Sequence, residues 1–181
     1  LTEELKDEPI RARILGQNFV VFRDSKGQAH TLSDTCPHRG GALSAGVIRG
    51  DCIQCPYHGW RYDGEGYCRR IPSLGKDAKI PKRARVDAYP TQEQNGIVFT
   101  FLGDLEEKKR PPIMPIKELE DPESWRANWL TYEADINFER SIENGLDAAH
   151  NEFVHPTHGH EGADEDYQVN YLDFVDNIFG E

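Results

Sequence analysis

The sequence predicts an α+β protein, in which a small all-β domain is followed by a linker and by the start of a second domain. Residues 1–103 consist of short β-branched and apolar segments separated by glycine-containing turns, which is typical of a small all-β domain. Residues 104–122 are charged and proline-rich, which is typical of an extended linker. Residues 123–181 open with an alternating apolar and polar segment followed by a helix-start pattern, so a second domain is expected there.

The strands of the first domain are predicted from their β-branched and apolar residues and from the turns between them. The predicted strands cover residues 11–15, 18–23, 29–32, 46–48, 51–54, 60–63 and 67–69. Residues 85–89 and 97–102 are expected to form a closing hairpin, with Asn95-Gly96 near its turn.

In the second domain, residues 129–136 alternate between apolar and polar, which predicts a half-buried strand. The residues on its apolar face are Leu130, Tyr132, Ala134 and Ile136. Asn137 is expected to cap a helix that runs to about residue 154.

The composition limits the classes of protein that need consideration. The 181 residues are 37% hydrophobic, with a net charge of −11, and no run of about 18 apolar residues exists that could cross a membrane. So acidic a chain, without a recognised motif, does not favour nucleic acid as a partner. The first 85 residues nevertheless carry an excess of Lys and Arg, and a basic stretch lies between Arg69 and Arg85. That stretch is either a solvated loop or a docking face for an acidic partner.

Two short loops carry the residues that point to chemistry. They are Cys36-Pro37-His38-Arg39-Gly40 and Cys55-Pro56-Tyr57-His58-Gly59-Trp60, so each loop supplies one thiolate and one imidazole. Two sulfurs and two nitrogens on paired loops suit a [2Fe–2S] cluster in which two histidines replace two cysteines on one iron.

A zinc site is the alternative, because two cysteines and two histidines also suit tetrahedral zinc. Zinc sites usually keep each ligand type in its own pair, whereas each loop here mixes Cys with His. Cys52 forms a competing C-x2-C pattern with Cys55. The simpler interpretation of Cys52 and Cys68 is that they act as small buried apolar residues. A disulfide between them is the alternative, and the sequence does not decide between the two.

The two loops resemble the Rieske family. Rieske proteins of the respiratory type have one more cysteine in each loop, joined as a disulfide, and the corresponding positions here are Gly41 and Tyr57. Trp60 also replaces the serine of that type. The chain therefore looks like the low-potential branch of oxygenases and their ferredoxins, with Cys36, His38, Cys55 and His58 as the implied cluster ligands.

A second set of candidate ligands follows the linker, in the segment from Glu143 to His155. Asp147 and His150 are three residues apart and would share a face of the predicted helix. Pro156 disfavours an α conformation at His155, so we expect the helix to loosen and the imidazole to turn back. Two histidines and a carboxylate suit a non-haem Fe(II) site, and two surface histidines are the alternative.

After a Rieske domain, this segment resembles the catalytic subunit of Rieske non-haem iron oxygenases. The family pattern matches Glu143, Asp147, His150 and His155, of which the two histidines are implied iron ligands. Asp147 is implied as the bridge, for electrons and protons, to a cluster histidine of a neighbouring subunit, whereas the role of Glu143 stays open. The resemblance implies a helix-grip-like catalytic domain, of which residues 123–181 would be the N-terminal part, and a homotrimer for the full-length protein.

The third iron ligand of that family is an aspartate that we expect beyond residue 181, so this fragment is expected to be inactive alone. No local pattern marks Asp164, Asp166, Asp173 or Asp176 as that ligand. His158 and His160 are either adventitious ligands or part of a solvated loop.

The resemblance implies an oxygenase component that accepts electrons from a ferredoxin or flavin reductase at its [2Fe–2S] cluster. Those electrons reach a mononuclear Fe(II), which activates O2 for hydroxylation or demethylation of an aromatic or other cyclic substrate. The branch it resembles includes vanillate demethylases and chlorophyll-catabolite oxygenases such as pheophorbide oxygenases. The alternative is a Rieske ferredoxin-like electron carrier. Few cysteines favour a reducing compartment, either the cytoplasm or a plastid stroma-like one.

Overall fold

The computed structural model describes residues 1–75 and 78–155, together with positions 166, 168, 173 and 175. The chain divides into two compact units, Leu1–Asp121 and Pro122–Glu181. Within the described residues, no helix is long and apolar enough to cross a membrane.

The first unit is built of short antiparallel strands. The strands are β1 (Ile10–Ile14), β2 (Gln17–Arg23), β3 (Ala29–Ser33), β4 (Val47–Arg49), β5 (Cys52–Gln54), β6 (Arg61–Asp63), β7 (Cys68–Arg70), β8 (Ala88–Tyr89), β9 (Thr91–Gln94) and β10 (Ile97–Thr100). They form a sheet of order β1-β2-β3-β8, a second sheet of order β4-β5-β6-β7, and the separate hairpin β9-β10. The predicted all-β fold of the first unit is therefore confirmed.

The two Cys–His loops lie at one end of the second sheet. The first loop follows β3 and returns through a short 3-10 helix, Leu43–Ala45, to β4, while the second loop joins β5 to β6. Gly46 lies where these segments cross, because a Cβ there would overlap the carbonyl oxygen of Gln54. The close pairing of β4 with β5 thus brings the two loops together.

The core of the first unit runs between the two large sheets. Its buried residues include Val20, Phe22, Leu32, Leu43, Ile53 and Tyr62, and Cys36 and Cys55 belong to the same cluster. The two thiols are therefore part of the hydrophobic core, and the loops are anchored by it.

The predicted closing hairpin is wrong in its first strand. Residues 85–89 contribute only the short β8, which pairs with β3, and the hairpin partner of β10 is β9. Asn95-Gly96 does form the turn, with positive φ at both residues. The residues of β9 are polar, so a search for apolar segments does not predict this strand. Its pairing with β10 comes from backbone hydrogen bonds rather than from burial.

The predicted strand at 129–136 is also wrong. These residues have no regular structure, and Leu130 and Tyr132 are 86% and 77% exposed. Alternation alone does not form a strand, since backbone donors and acceptors need a paired strand alongside. Before them lies a short helix, α1 (Lys117–Glu120).

The single predicted helix is two helices, α2 (Phe138–Leu146) and α3 (Asn151–Val154). Asn137 caps α2 as predicted, since its side chain accepts a hydrogen bond from the Glu139 amide. The chain leaves the helix at Asp147, so Asp147 and His150 do not share a helix face as predicted.

Candidate functional site

The two loops have the same backbone geometry. The Gly40 amide donates a hydrogen bond of 2.9 Å to the carbonyl of Cys36, and the Gly59 amide donates one of 3.1 Å to that of Cys55. Gly40 and Gly59 have φ of 72° and 70°, a conformation that side-chain-bearing residues rarely adopt. Each cysteine is therefore held at the start of a tight turn that ends on a glycine.

A second pair of hydrogen bonds closes each loop at its base. The Cys36 amide donates to the carbonyl of Gly41 at 2.9 Å, and the Cys55 amide donates to that of Trp60 at 2.8 Å. The loops also touch each other, because a Cβ at Gly41 would lie 3.1 Å from the Cys55 sulfur and 3.3 Å from the Cβ of Tyr57.

The two thiols lie on the buried side of the loops. Cys36 and Cys55 are each 2% exposed, and the hydroxyl of Tyr62 lies 3.2 Å from the Cys36 sulfur. Burial raises the pKa of Cys55, and the adjacent Cys36 raises it further. Hydrogen bonds from the backbone amides of Tyr57 and His58 act in the opposite direction and lower this pKa. Two adjacent buried thiols lose their protons readily only when a cation lies beside them, and a bound metal ion supplies that positive charge.

The two imidazoles lie on the outer side of the loops. The rings of His38 and His58 are 4.5 Å apart between centroids, and the His38 ring stacks on Trp60 at 4.6 Å and 8°. Among the described residues, no group donates to or accepts from the buried Nδ1 of His38. Burial, followed by the charges of His58 and Arg39, lowers the pKa of His38, which favours the neutral imidazole that binds metals.

This arrangement fits a Rieske [2Fe–2S] cluster. Such a cluster takes two thiolates on one iron and two imidazoles on the other. The loops offer a pair of buried thiols and a pair of imidazoles, and one imidazole nitrogen is buried without a partner in the described structure. Within the described residues, no group of three or more Cys, His, Asp or Glu is arranged to hold a single metal ion. A [2Fe–2S] cluster makes a different demand, because it divides its four protein ligands between two irons.

Asp34 supports the first loop and was missed from the sequence. Its carboxylate is almost fully buried and accepts hydrogen bonds from the Ser44 amide at 2.6 Å and the Ser44 hydroxyl at 2.8 Å. Its backbone carbonyl accepts from the Leu43 amide at 2.9 Å. Asp34 thus joins the start of the loop to the 3-10 helix after it. No sequence pattern marks this role, because the partner is ten residues away.

The second unit brings the other predicted residues together. The rings of His150 and His155 have centroids 5.5 Å apart, and His155 is in an extended conformation, as Pro156 predicted. The Asp147 carboxylate lies 3.5 Å from Nδ1 of His150, and its other oxygen accepts from the Ala149 amide at 3.1 Å. The break between α2 and α3 therefore gathers the three side chains, although the predicted continuous helix is absent.

Glu143 lies apart from these contacts. Its side chain, 61% exposed, forms an ion pair with Arg140 on α2. Its backbone carbonyl accepts from the Asp147 amide at 3.1 Å, which ends the helix just before Asp147. Of the other acidic and histidine candidates, Asp166 and Asp173 are exposed. His158, His160, Asp164 and Asp176 lie outside the described residues.

The other two cysteines, Cys52 and Cys68, are free thiols. Cys52 is half-buried, Cys68 is buried, and neither is in a disulfide. They lie on β5 and β7, with β6 between them. Burial raises the pKa of both thiols, which is consistent with small apolar residues of the core.

Comparison with known proteins identifies the class of both parts. Residues 1–90 match the family model of the Rieske [2Fe-2S] domain. Cholesterol 7-desaturase nvd 1 of Ciona intestinalis is 34% identical, over 91% of this chain and 35% of its own length. The oxygenase component of 3-ketosteroid-9-alpha-monooxygenase of Rhodococcus rhodochrous is 34% identical, over 86% and 41%. The crystal structure of dicamba monooxygenase bound to dicamba is 29% identical with a TM-score of 0.73, over 86% and 46%.

The chain belongs to the Rieske oxygenases, and its first 90 residues are their [2Fe–2S] domain. The similarity extends past the Rieske domain into the second unit, since it covers 91% and 86% of this chain in the two curated relatives. The chain spans about two fifths of the length of these curated relatives.

Proposed function

We propose that this chain carries the electron-accepting domain and part of the iron site of an oxygenase that acts on a cyclic substrate. The observation that carries the proposal is the presence of two separate groups of candidate metal ligands, one in each unit, in a chain related to Rieske oxygenases over both units. An electron carrier has no use for the second group.

In this proposal, Cys36 and Cys55 bind the inner iron of the cluster and His38 and His58 bind the outer one. Three features support this ligand set: the burial of both thiols, the closeness of the two imidazoles, and the unpartnered Nδ1 of His38. The matching glycine turns hold the two cysteines in equivalent positions, so the loops present a preformed site.

His150 and His155 are the proposed ligands of the mononuclear iron. Their neighbouring rings support this role, and the carboxylate of Asp147 beside His150 supports a positioning role for that aspartate. Asp147 has one oxygen fixed by the Ala149 amide and the other 3.5 Å from Nδ1 of His150, a buried nitrogen with no hydrogen-bond partner among the described residues. A carboxylate this close to a ligand histidine is placed to orient it. Because its side chain is 56% exposed, Asp147 could also reach a cluster histidine of a neighbouring copy in a homotrimer.

When both are bound, the cluster supplies single electrons and the mononuclear iron activates O2. The protein contributes the environment of these groups. Tyr62 keeps a hydroxyl against the Cys36 sulfur, the core excludes water from the two thiols, and Asp147 places a carboxylate oxygen 3.5 Å from Nδ1 of His150.

An acidic electron donor, a ferredoxin or a flavin reductase, is the proposed partner at the basic stretch between Arg69 and Arg85. Its described basic residues are exposed: Arg69, Arg70, Lys79, Lys82, Arg83 and Arg85. Lys76 lies outside the described residues. Pro72 connects this stretch to the second loop, since a Cβ at Gly59 would lie 3.1 Å from its ring. A donor bound to the basic residues would therefore be close to the cluster, and its association would weaken with salt.

The substrate is proposed to be a polycyclic or other cyclic small molecule. The relatives named for cholesterol and for a 3-ketosteroid support this class. Cys52 and Cys68, which form no disulfide, support a reducing compartment, and the choice between cytoplasm and a plastid stroma-like compartment stays a prediction.

The proposal is tested by counting iron in the anaerobically purified protein, before and after addition of excess Fe(II) and gel filtration. We expect two irons with two sulfides, and further Fe(II) uptake that is lost in the H150A/H155A double variant. The same variant should keep the cluster and its visible spectrum. Equal uptake of added Fe(II) by both proteins would contradict the role of the two histidines, and H158A/H160A provides the matched control.

A further inference from the structure

Trp60 connects the two cluster loops through different parts of the same residue. Its carbonyl accepts the hydrogen bond of 2.8 Å from the Cys55 amide that closes the second loop. Its indole ring stacks on His38 of the first loop, with 4.6 Å between centroids and 8° between planes. A side chain from one loop thus restrains a candidate ligand of the other.

The indole is itself held in place. Trp60 is half-buried and packs against the hydrophobic core that contains Cys36 and Cys55. An aromatic ring fixed by the core offers a flat surface, and a parallel ring at this distance loses rotation out of that plane.

The stacking contact is important for the orientation of His38, because no hydrogen bond among the described residues restrains its Nδ1 atom. The Nδ1 atom is buried and has no hydrogen-bond partner among the described residues. The His38 ring also meets His58 edge-on, at 4.5 Å and 68°. The rings of Trp60 and His58 both contact the imidazole, and they limit its rotation about the Cβ–Cγ bond.

We propose that Trp60 is the positioning residue for His38. Its indole fixes the plane of the His38 imidazole, with Nδ1 toward the space between the loops. The indole also shields that imidazole from water. The inference rests on the proposed cluster ligands, and it assigns to Trp60 a role in the geometry and lifetime of the site rather than in binding the iron.

The test compares W60F, which keeps a flat ring, with W60L, which removes it, in the full chain loaded with its cluster. The readouts are the EPR g values and line widths of the reduced cluster and the half-life of the visible absorption in air. W125L is the control, because Trp125 is 58% exposed in the other unit.

We expect W60L to show shifted and broadened EPR features and to lose its cluster in air roughly three to ten times faster than wild type. W60F and W125L should retain the spectrum and lifetime of wild type. If W60L fails to take up the cluster, W60F still tests the proposal. A stacking role predicts that the phenyl ring alone preserves the EPR spectrum and the lifetime of the cluster.

A W60L protein with the wild-type spectrum and lifetime would overturn the proposal, as would a W60F protein that behaves like W60L. If wild type itself lacks a [2Fe–2S] cluster after anaerobic reconstitution, the proposed ligand set fails, which distinguishes that failure from a failure of the role of Trp60.

Discussion

The hydroxyl of Tyr62 is placed where a single atom can change the redox chemistry of the candidate cluster. It lies 3.2 Å from the sulfur of Cys36 in the core of the first unit. Burial, with a further contribution from Cys36, raises the pKa of Tyr62 above its usual range, so the phenol stays protonated and can donate to a thiolate. A hydrogen bond to a ligand sulfur stabilises the reduced, more negative cluster.

Replacing Tyr62 with Phe should lower the reduction potential of the cluster by about 40–60 mV, the equivalent of one net hydrogen bond in a one-electron couple. The phenyl ring keeps the packing, so the fold should be retained. A redox titration followed by visible circular dichroism measures the change. Y89F is the control, since Tyr89 packs on Phe19 in the first sheet. An unchanged potential in Y62F would show that the hydroxyl does not donate to the sulfur.

For single residues, the sequence predicts the candidate cluster ligands but not the residues that support them. Cys36, His38, Cys55 and His58 stand out because their types and spacing are rare outside metal sites. Tyr62 has the alternating pattern of any strand residue, and its hydroxyl meets Cys36 only after the second sheet folds. Supporting contacts of this kind join residues that are distant in sequence, so local patterns do not reveal them.

At the scale of the elements, the two loops behave as a matched pair. A Cβ at Gly41 would lie 3.3 Å from the Cβ of Tyr57, close to the distance of about 3.8 Å that is usual across a disulfide. The resemblance to Rieske proteins of the respiratory type implies that their extra cysteines occupy these two positions. The predicted correspondence of Gly41 and Tyr57 is therefore consistent with the contact between the loops.

The double variant G41C/Y57C should form a disulfide in air and raise the free energy of unfolding by up to about 3 kcal/mol. Thiol titration in denaturant should find the same number of free thiols as in wild type, and urea unfolding should give a higher midpoint. G41C alone is the control and should add one thiol. Two additional free thiols in the double variant would show that the loops do not approach each other as described.

Arg23 on β2 holds the β9-β10 hairpin against the first sheet. Its guanidinium donates two hydrogen bonds, of 2.8 and 2.7 Å, to the carboxylate of Glu93 on β9. The hydrogen bond from Arg23 lowers the pKa of Glu93, against burial, which raises it. A carboxyl group with a lowered pKa in the folded state stabilises the protein above its unfolded pKa, and that contribution is lost as the pH falls through the folded value.

E93Q should therefore destabilise the protein by about 1 kcal/mol at neutral pH, with the difference shrinking below about pH 4 as the wild-type carboxylate is protonated. Urea unfolding at pH 7, 5 and 3 measures this dependence. The control is E8Q, because Glu8 is exposed. A difference that stays constant down to pH 3 would contradict the role of the ion pair.

The elements that the sequence predicted wrongly share a physical cause. The segment 129–136 has the alternation of a strand, but its apolar side chains are exposed and its backbone lies beside no paired strand in the described structure. The helix from Asn137 was predicted through Asp147 because no proline or glycine after Gly145 interrupts it before Pro156. Strand pairing and local helix breaks depend on contacts and capping bonds that side-chain periodicity does not record.

At the scale of the whole molecule, the chain joins a Rieske [2Fe–2S] domain to a second unit in which two histidines and an aspartate lie together. Most strands of the Rieske domain could be predicted from apolar segments and turns, and its cofactor from the two Cys–His loops, whereas β9 and the pairing of β8 could not. The second unit could be predicted only through its motif, since His150, Asp147 and His155 come together at a helix break rather than on one helix. The predicted domain limits of 1–103, 104–122 and 123–181 stay predictions, and contacts within the chain divide it after Asp121.

The central claim is that Cys36, His38, Cys55 and His58 hold a Rieske [2Fe–2S] cluster, and EPR of the reduced, anaerobically purified protein tests it most directly. We expect an anisotropic signal with an average g value below that of all-cysteine [2Fe–2S] proteins, together with two irons and two sulfides per chain. A colourless protein that binds one zinc, and takes up no cluster from iron and sulfide under anaerobic conditions, would contradict it.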